Sequence, residues 1–176
     1  MLNTLITSKT RKKLLLKFFL NSASYTYLRN LEQELGESPN ALRVELGKFE
    51  KANMLISSMH GNKKMYRVNT NHPLFSEIHN IIYKTIGFDQ IIDRVVKKLG
   101  GINSVYLTGS FAHGLDSNII DLLLVGDEIN TDYLVRLIPK TEKLIGKRIR
   151  YLVSPIGELN NYLDQNNGYL LLWTNN

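Results

Sequence analysis

The chain has 176 residues, 43% hydrophobic and 22% charged, with no cysteine. That length holds one large domain or two small ones, and the composition excludes wholesale disorder. The missing thiols exclude disulfide scaffolds, cysteine-ligated zinc, iron–sulfur clusters and thiol catalysis, and they fit a reducing compartment.

Charge is unevenly spread. Residues 1–87 hold 13 Lys+Arg against 6 Asp+Glu, a balance of +7; residues 88–176 hold 9 against 10, a balance of −1. Either the excess is scattered over solvated faces, or an N-terminal module meets a polyanion. No apolar run approaches the roughly 18 residues that a membrane helix needs. Arg11-Lys12-Lys13 followed by LLLKFFLNSAS has the outline of a signal peptide. Lys17, however, divides the apolar run into two threes, shorter than a signal core of roughly 7–15 residues. The segment reads as a basic amphipathic helix, and the protein as cytoplasmic with no membrane partner.

Along the chain, periodicity predicts a first helix over Lys9–Leu20, with Leu14, Leu15, Phe18 and Phe19 as its apolar stripe. Tyr25–Leu28 is a short extended stretch or a helix start. A second helix fits Leu28–Leu35, ended by Gly36. Ser38 then caps a third helix with Pro39 at its first position, running to about Asn53. The period next changes to that of strands. Leu55–Met59 and Met65–Asn69 flank a polar turn with Gly61, a hairpin signal. Leu74–Ile86 and Phe88–Leu99 read as helices separated at Gly87.

From Gly100 the rhythm is β/α. Ser104–Thr108 and Ile119–Val125 are strands, the second apolar apart from Asp121. Asn130 or Thr131 caps a helix to about Ile145, with a kink or break at Pro139. Lys147–Val153 is a strand, Pro155–Gln165 a last helix and Tyr169–Trp173 a final strand. The fold class is α+β: a winged helix-turn-helix over 1–72, a helical connector over 73–100, and an α/β domain with a mixed sheet over 101–176.

Three helices with a tight turn between the second and third, followed by a hairpin, are the winged helix-turn-helix pattern. The third helix carries Asn40, Arg43, Gly47 and Lys48 opposite its core stripe. Arg and Asn can read base edges in a major groove. The Ser38 cap leaves backbone N–H groups and a positive dipole end for a phosphate. Asn62, Lys63 and Lys64 stand at the hairpin tip. The expected DNA-binding residues are therefore Ser38, Asn40, Arg43, Lys48, Asn62, Lys63 and Lys64. The segment SPNALRVELGKFEKANMLISS also resembles the recognition helix and start of the wing in bacterial arsenic-repressor-like regulators. The resemblance covers roughly residues 8–70. It aligns Leu46, Phe49, Glu50, Ala52, Met54 and Leu55, with Asn53 where the family has Gly at the helix end. The other reading is a winged helix used for protein contacts. His60, His72, His79 and His113 lie scattered without acidic partners, so no metal site is expected.

LTGSFAHGLDSNIIDLLLVGD resembles the signature of minimal nucleotidyltransferases of the DNA polymerase beta superfamily, over roughly residues 88–176. The resemblance implies a phosphate cradle at Gly109-Ser110. It also implies paired carboxylates at alternate positions of the next strand, sharing divalent metals with a third carboxylate from a later strand. Gly109 and Ser110 match. His113 stands where the family has Arg, and Asp121 matches the second carboxylate. The first falls on Ile119, and the third on Arg148 or Arg150, with Asp116 a register-shifted substitute. One carboxylate cannot hold two metals facing a triphosphate, so no catalytic residue and no cofactor are expected. Gly109, Ser110, Asp121 and Arg150 form a vestigial nucleotide site, with Asp121 paired to Arg148 or Arg150.

The expectation is a sequence-specific DNA-binding regulator, acting on double-stranded DNA as a homodimer. Its inactive nucleotidyltransferase-like domain would serve dimerisation or the sensing of a nucleotide or phosphate-bearing ligand. The alternatives are an active metal-dependent nucleotidyltransferase and an antitoxin-like interaction module.

Overall fold

The structure, a computed structural model, describes residues 4, 6–163 and 168–175. The chain forms two compact units, Met1–Ile82 and Tyr83–Asn176. The division falls inside a helix within the segment 73–100 read from sequence as a connector.

In the first unit, α1 (Lys9–Leu15) begins at Ser8, whose hydroxyl accepts from Arg11 N, and continues as a wider π-type turn, Leu16–Leu20. That turn brings four successive residues inward: Lys17, Phe18, Phe19 and Leu20 are all buried. Buried Lys17 is held by Glu34, 2.7 Å from its Nζ. After β1 (Thr26–Tyr27) come α2 (Leu28–Leu35) and α3 (Pro39–Lys51). Between these two helices Gly36 takes the left-handed conformation at φ 60°. Ser38 Oγ accepts from Ala41 N at 3.2 Å, and Pro39 opens α3. Asn53 ends it at φ 56°, as the resemblance implied for the family's Gly position.

β2 (Leu55–His60) and β3 (Lys63–Val68) pair antiparallel from Leu55 opposite Val68 to His60 opposite Lys63. β1 adds to the far edge of β3, giving the order β1-β3-β2. The core packs Leu14, Phe18, Phe19, Leu31, Leu42 and Leu46, all at 0% exposure. Each such side chain contributes roughly 1.5–3 kcal/mol relative to solvent exposure.

α4 (Phe75–Ile86) crosses into the second unit, where residues 88–99 form α5 with a π-type turn at Ile92–Val96. Then follow β4 (Ser104–Thr108), α6 (Gly109–Ala112), β5 (Ile119–Val125), α7 (Thr131–Ile145), β6 (Arg148–Ser154), a 3-10 turn Ile156–Glu158, α8 (Leu159–Tyr162) and β7 (Leu170–Thr174). The sheet order is β6-β5-β4-β7, with β5 and β6 parallel and the other pairs antiparallel. It is a mixed sheet, as the alternation of strands and helices implied. Val105, Leu107, Ile120, Leu122 and Leu124 are buried on one face of it.

Two expectations are refined here. Asn130 is the cap of α7, its Oδ1 accepting from Tyr133 N at 2.9 Å, and α7 runs unbroken through Pro139. The helix expected over Pro155–Gln165 is a correction: only the 3-10 turn and the four residues of α8 are helical up to Leu163. Gly157, Asn160 and Asn161 are weak helix formers. Ile156 N bonds instead to Asp127 Oδ1 at 3.0 Å. Residues 164 and 165 of that expectation lie outside the described residues. No helix among the described residues is long and apolar enough to cross a membrane.

Candidate functional site

Two groups of residues carry chemistry, one in each unit.

In the first unit, α3 buries Leu42, Glu45, Leu46 and Phe49 and turns Asn40, Arg43 and Lys51 outward. Val44 joins that outer face at 49% exposure. Arg43 makes no ion pair among the described residues. Ser38 is taken up as the helix cap. Lys48 is not a free cation: its Nζ lies 3.0 Å from Glu45 Oε1, and Arg11 Nε binds the other oxygen of Glu45 at 2.7 Å. The hydrogen bond from Arg11 holds the Glu45 carboxyl below the ordinary glutamate range against the effect of its burial.

At the hairpin, Gly61 and Asn62 form the two-residue turn between paired His60 and Lys63. Lys63 Nζ sits 4.3 Å from the centre of the Tyr27 ring, a cation–π contact. Lys64 Nζ binds Glu50 Oε2 at 2.8 Å, and Ser57 donates to the other oxygen of Glu50. Lys64 and Ser57 together hold Glu50 below its ordinary range. Of the seven expected DNA-binding residues, Asn40, Arg43 and Asn62 are exposed without these ties. Lys51 and Val44, on the same helix face, were missed; the i, i+4, i+11 spacing from Asn40 was the available signal.

In the second unit, β-sheet register assembles the site. Asp121 on β5 lies opposite Thr108 on β4 and opposite Arg150 on β6. Arg150 Nε donates to Asp121 Oδ1 at 2.6 Å. That hydrogen bond raises Arg150 further above its ordinary value. Gly109 follows Thr108 at φ +63°, and a Cβ there would stand 2.4 Å from Asp121 Oδ2. So three of the four residues expected together, Gly109, Asp121 and Arg150, meet. Ser110 is half-buried in α6, where its carbonyl accepts from His113 N and Leu115 N. Arg148, the alternative partner, goes to Glu142 at 3.2 Å, and Asp116 pairs with Lys147 at 3.3 Å.

The donor set does not fit a two-metal centre. Ile119 occupies the alternate position on the strand face of Asp121. A guanidinium covers one oxygen of Asp121, and any side chain at position 109 would collide with the other. Among the described residues no group of three His, Asp or Glu could hold a metal ion. Two cavities open on this face. One, about 490 Å³, has Thr108, Asp121, Arg150 and Leu152 among its walls. The other, about 400 Å³, is lined by Thr108, Gly109, His113, Leu152, Tyr162 and Tyr169 among others.

No protein-family model and no curated protein matches this sequence. Solved structures similar to part of it include two of archaeal origin. AF1382 from Archaeoglobus fulgidus is 18% identical with a TM-score of 0.39, covering 47% of this chain and 93% of that one. A proposed nucleotidyltransferase from Sulfolobus solfataricus is 23% identical with a TM-score of 0.36, covering 52% of this chain and 81% of that one.

Proposed function

We propose that the first unit binds double-stranded DNA as a winged helix-turn-helix. In the same proposal, the second unit has the nucleotidyltransferase outline but does not carry out metal-dependent transfer. The chain then acts as a sequence-specific, dimeric regulator. The observation that carries the DNA reading is the outer face of α3. A capped helix turns Asn40, Arg43 and Lys51 to solvent and is followed by a tight hairpin. Arg43 and Asn40 suit base edges, and Lys51 suits the phosphate backbone. For the second unit, the tie of Asp121 to Arg150, with Ile119 at the alternate strand position, supports a site without metal-dependent transfer.

The test is selection of bound fragments from genomic DNA by the full chain, followed by anisotropy titration over a salt series. Enrichment of a defined site is expected. Arg43→Ala should weaken that site by roughly 1–3 kcal/mol and relax its specificity. Lys48→Ala and Lys64→Ala should cost less, because each ammonium is held by a glutamate. Binding without preferred sequence, falling steeply with salt, would reduce the reading to charge alone. No binding at all would end it.

A further inference from the structure

We infer that the first unit binds a small phosphomonoester on the outer face of its three-stranded sheet. Arg67 is the cation there, and hydroxyls of β2 and of the turn before β1 are further donors. The site is separate from the outer face of α3 and stands whether or not that helix meets DNA.

Strand register defines the face. Thr26 pairs with Tyr66, and Leu55 with Val68. Thr26, Leu55 and Val68 are buried, so this set points inward. Ser57 and Lys64 share that parity and both bind Glu50 of α3. The alternate positions therefore point away from α3. They include Ile56 opposite Arg67 and Ser58 opposite Met65, with Tyr25, one step before Thr26, level with Arg67. Tyr25, Ile56, Ser58 and Arg67 are all exposed.

A cavity of about 490 Å³ opens here, with Ser22, Ser24, Tyr25, Ser58 and Arg67 among its walls. Its turn is tied down: Asn21 Oδ1 accepts from Ala23 N at 3.1 Å, and Ser24 Oγ donates to the Lys17 carbonyl at 3.1 Å. Tyr25 OH and Ser58 Oγ lie 3.2 Å apart. One hydroxyl hydrogen bridges that pair, and the other is left to donate. Arg67 makes no ion pair among the described residues. Its five N–H donors are uncommitted. The outward positions of the three strands carry Arg67 and Lys63 and no carboxylate.

These donors select the ligand class. They reach the cavity from two sides, the strands and the turn. A phosphate group sets three acceptor oxygens in different directions and matches the Arg fork, whereas a carboxylate offers two oxygens in one plane. With no carboxylate on the face, nothing there repels a dianion. The cavity is larger than a phosphate ion. The Tyr25 ring, 50% exposed, and Ile56 beside Arg67, 40% exposed, offer apolar surface to an organic ester group.

The experiment is calorimetric titration of the full chain, in chelator, with phenyl phosphate, inorganic phosphate and benzoate. Phenyl phosphate should bind tightest, inorganic phosphate several-fold weaker, and benzoate roughly tenfold weaker or more. Arg67→Ala should lose roughly tenfold or more. Arg67→Lys should recover only part, because it keeps the charge and loses the fork. Tyr25→Phe with Ser58→Ala should lose several-fold. Far-ultraviolet dichroism and melting would confirm that each variant folds. The proposal is overturned by no binding of phenyl phosphate, by benzoate or inorganic phosphate binding as tightly, or by Arg67→Ala binding like the parent. A backbone phosphate of duplex DNA is the other source of the same chemistry. The salt slope of duplex binding should be equal in Arg67→Ala and the parent; a slope reduced by about one would assign Arg67 to DNA and overturn the free ester. Absence of any duplex binding would end the regulator reading instead, and would remove the backbone as a source.

Discussion

Arg11 Nε stands 2.7 Å from Glu45 Oε2 and ties α1 to α3 across 34 residues of sequence. The Glu45 side chain is 8% exposed and also receives Lys48. Lys13 pairs with Glu37 and Lys17 with Glu34. Much of the positive charge of the N-terminal segment is therefore matched inside the unit and works as a clamp between helices.

Glu45→Gln should destabilise the first unit by about 2 kcal/mol, because Arg11 and Lys48 then face each other without a carboxylate. A lower urea midpoint at unchanged slope would register it. The pH dependence follows from the same residue. Its folded pKa lies below the ordinary 4.5. Its stabilisation is thus present above pH 4.5 and is lost as pH falls from there through the folded value. Glu45→Gln should flatten that acid limb.

Gly109→Ala should cost about 2 kcal/mol or more. The residue sits at φ +63°, and the added methyl would overlap Asp121 Oδ2. Thermal melting would show the loss. A variant as stable as the parent would mean that Asp121 has room to move.

The paired change Ile119→Asp with Arg150→Asp should create divalent-cation binding. It places three carboxylates on neighbouring positions of β5 and β6, since residue 150 is the register partner of Asp121. Mn²⁺ electron paramagnetic resonance would detect an affinity gain of roughly tenfold or more over the parent chain. Equal Mn²⁺ binding in both proteins would mean that residues 119 and 150 do not decide metal affinity.

Tyr83 should ionise late. Burial first, and then Asp89 and Asp93, push its phenol up to about 12. The neutral phenol is favoured in the fold, so its stabilisation is complete below pH 10 and disappears as pH rises through about 12. Ultraviolet difference titration of the parent against Tyr83→Phe would isolate this residue. A transition near pH 10 in that difference would contradict its burial against the Phe88 ring, 5.3 Å away.

What was readable in the amino-acid order is local. Ser38 and Pro39 start α3, Gly36 and Asn53 close helices, and Gly61 turns a hairpin, because each choice answers a backbone need within a few residues. The apolar periods likewise placed the strands and most helices. Gly109 and Asp121 were also visible, through the resemblance of their segment to the nucleotidyltransferase signature.

Partner choice was not readable, because it is a long-range property. Arg148 and Arg150 were equal candidates for Asp121 until the parallel register of β5 and β6 put Arg150 across from it and sent Arg148 to Glu142. The N-terminal cations counted alike in the sequence, yet helix packing matched Arg11, Lys13 and Lys17 to glutamates of α2 and α3 and of the turn between them. Charge and side-chain period are set residue by residue, whereas a salt bridge needs two distant backbones brought to one place. That placement comes from the buried core.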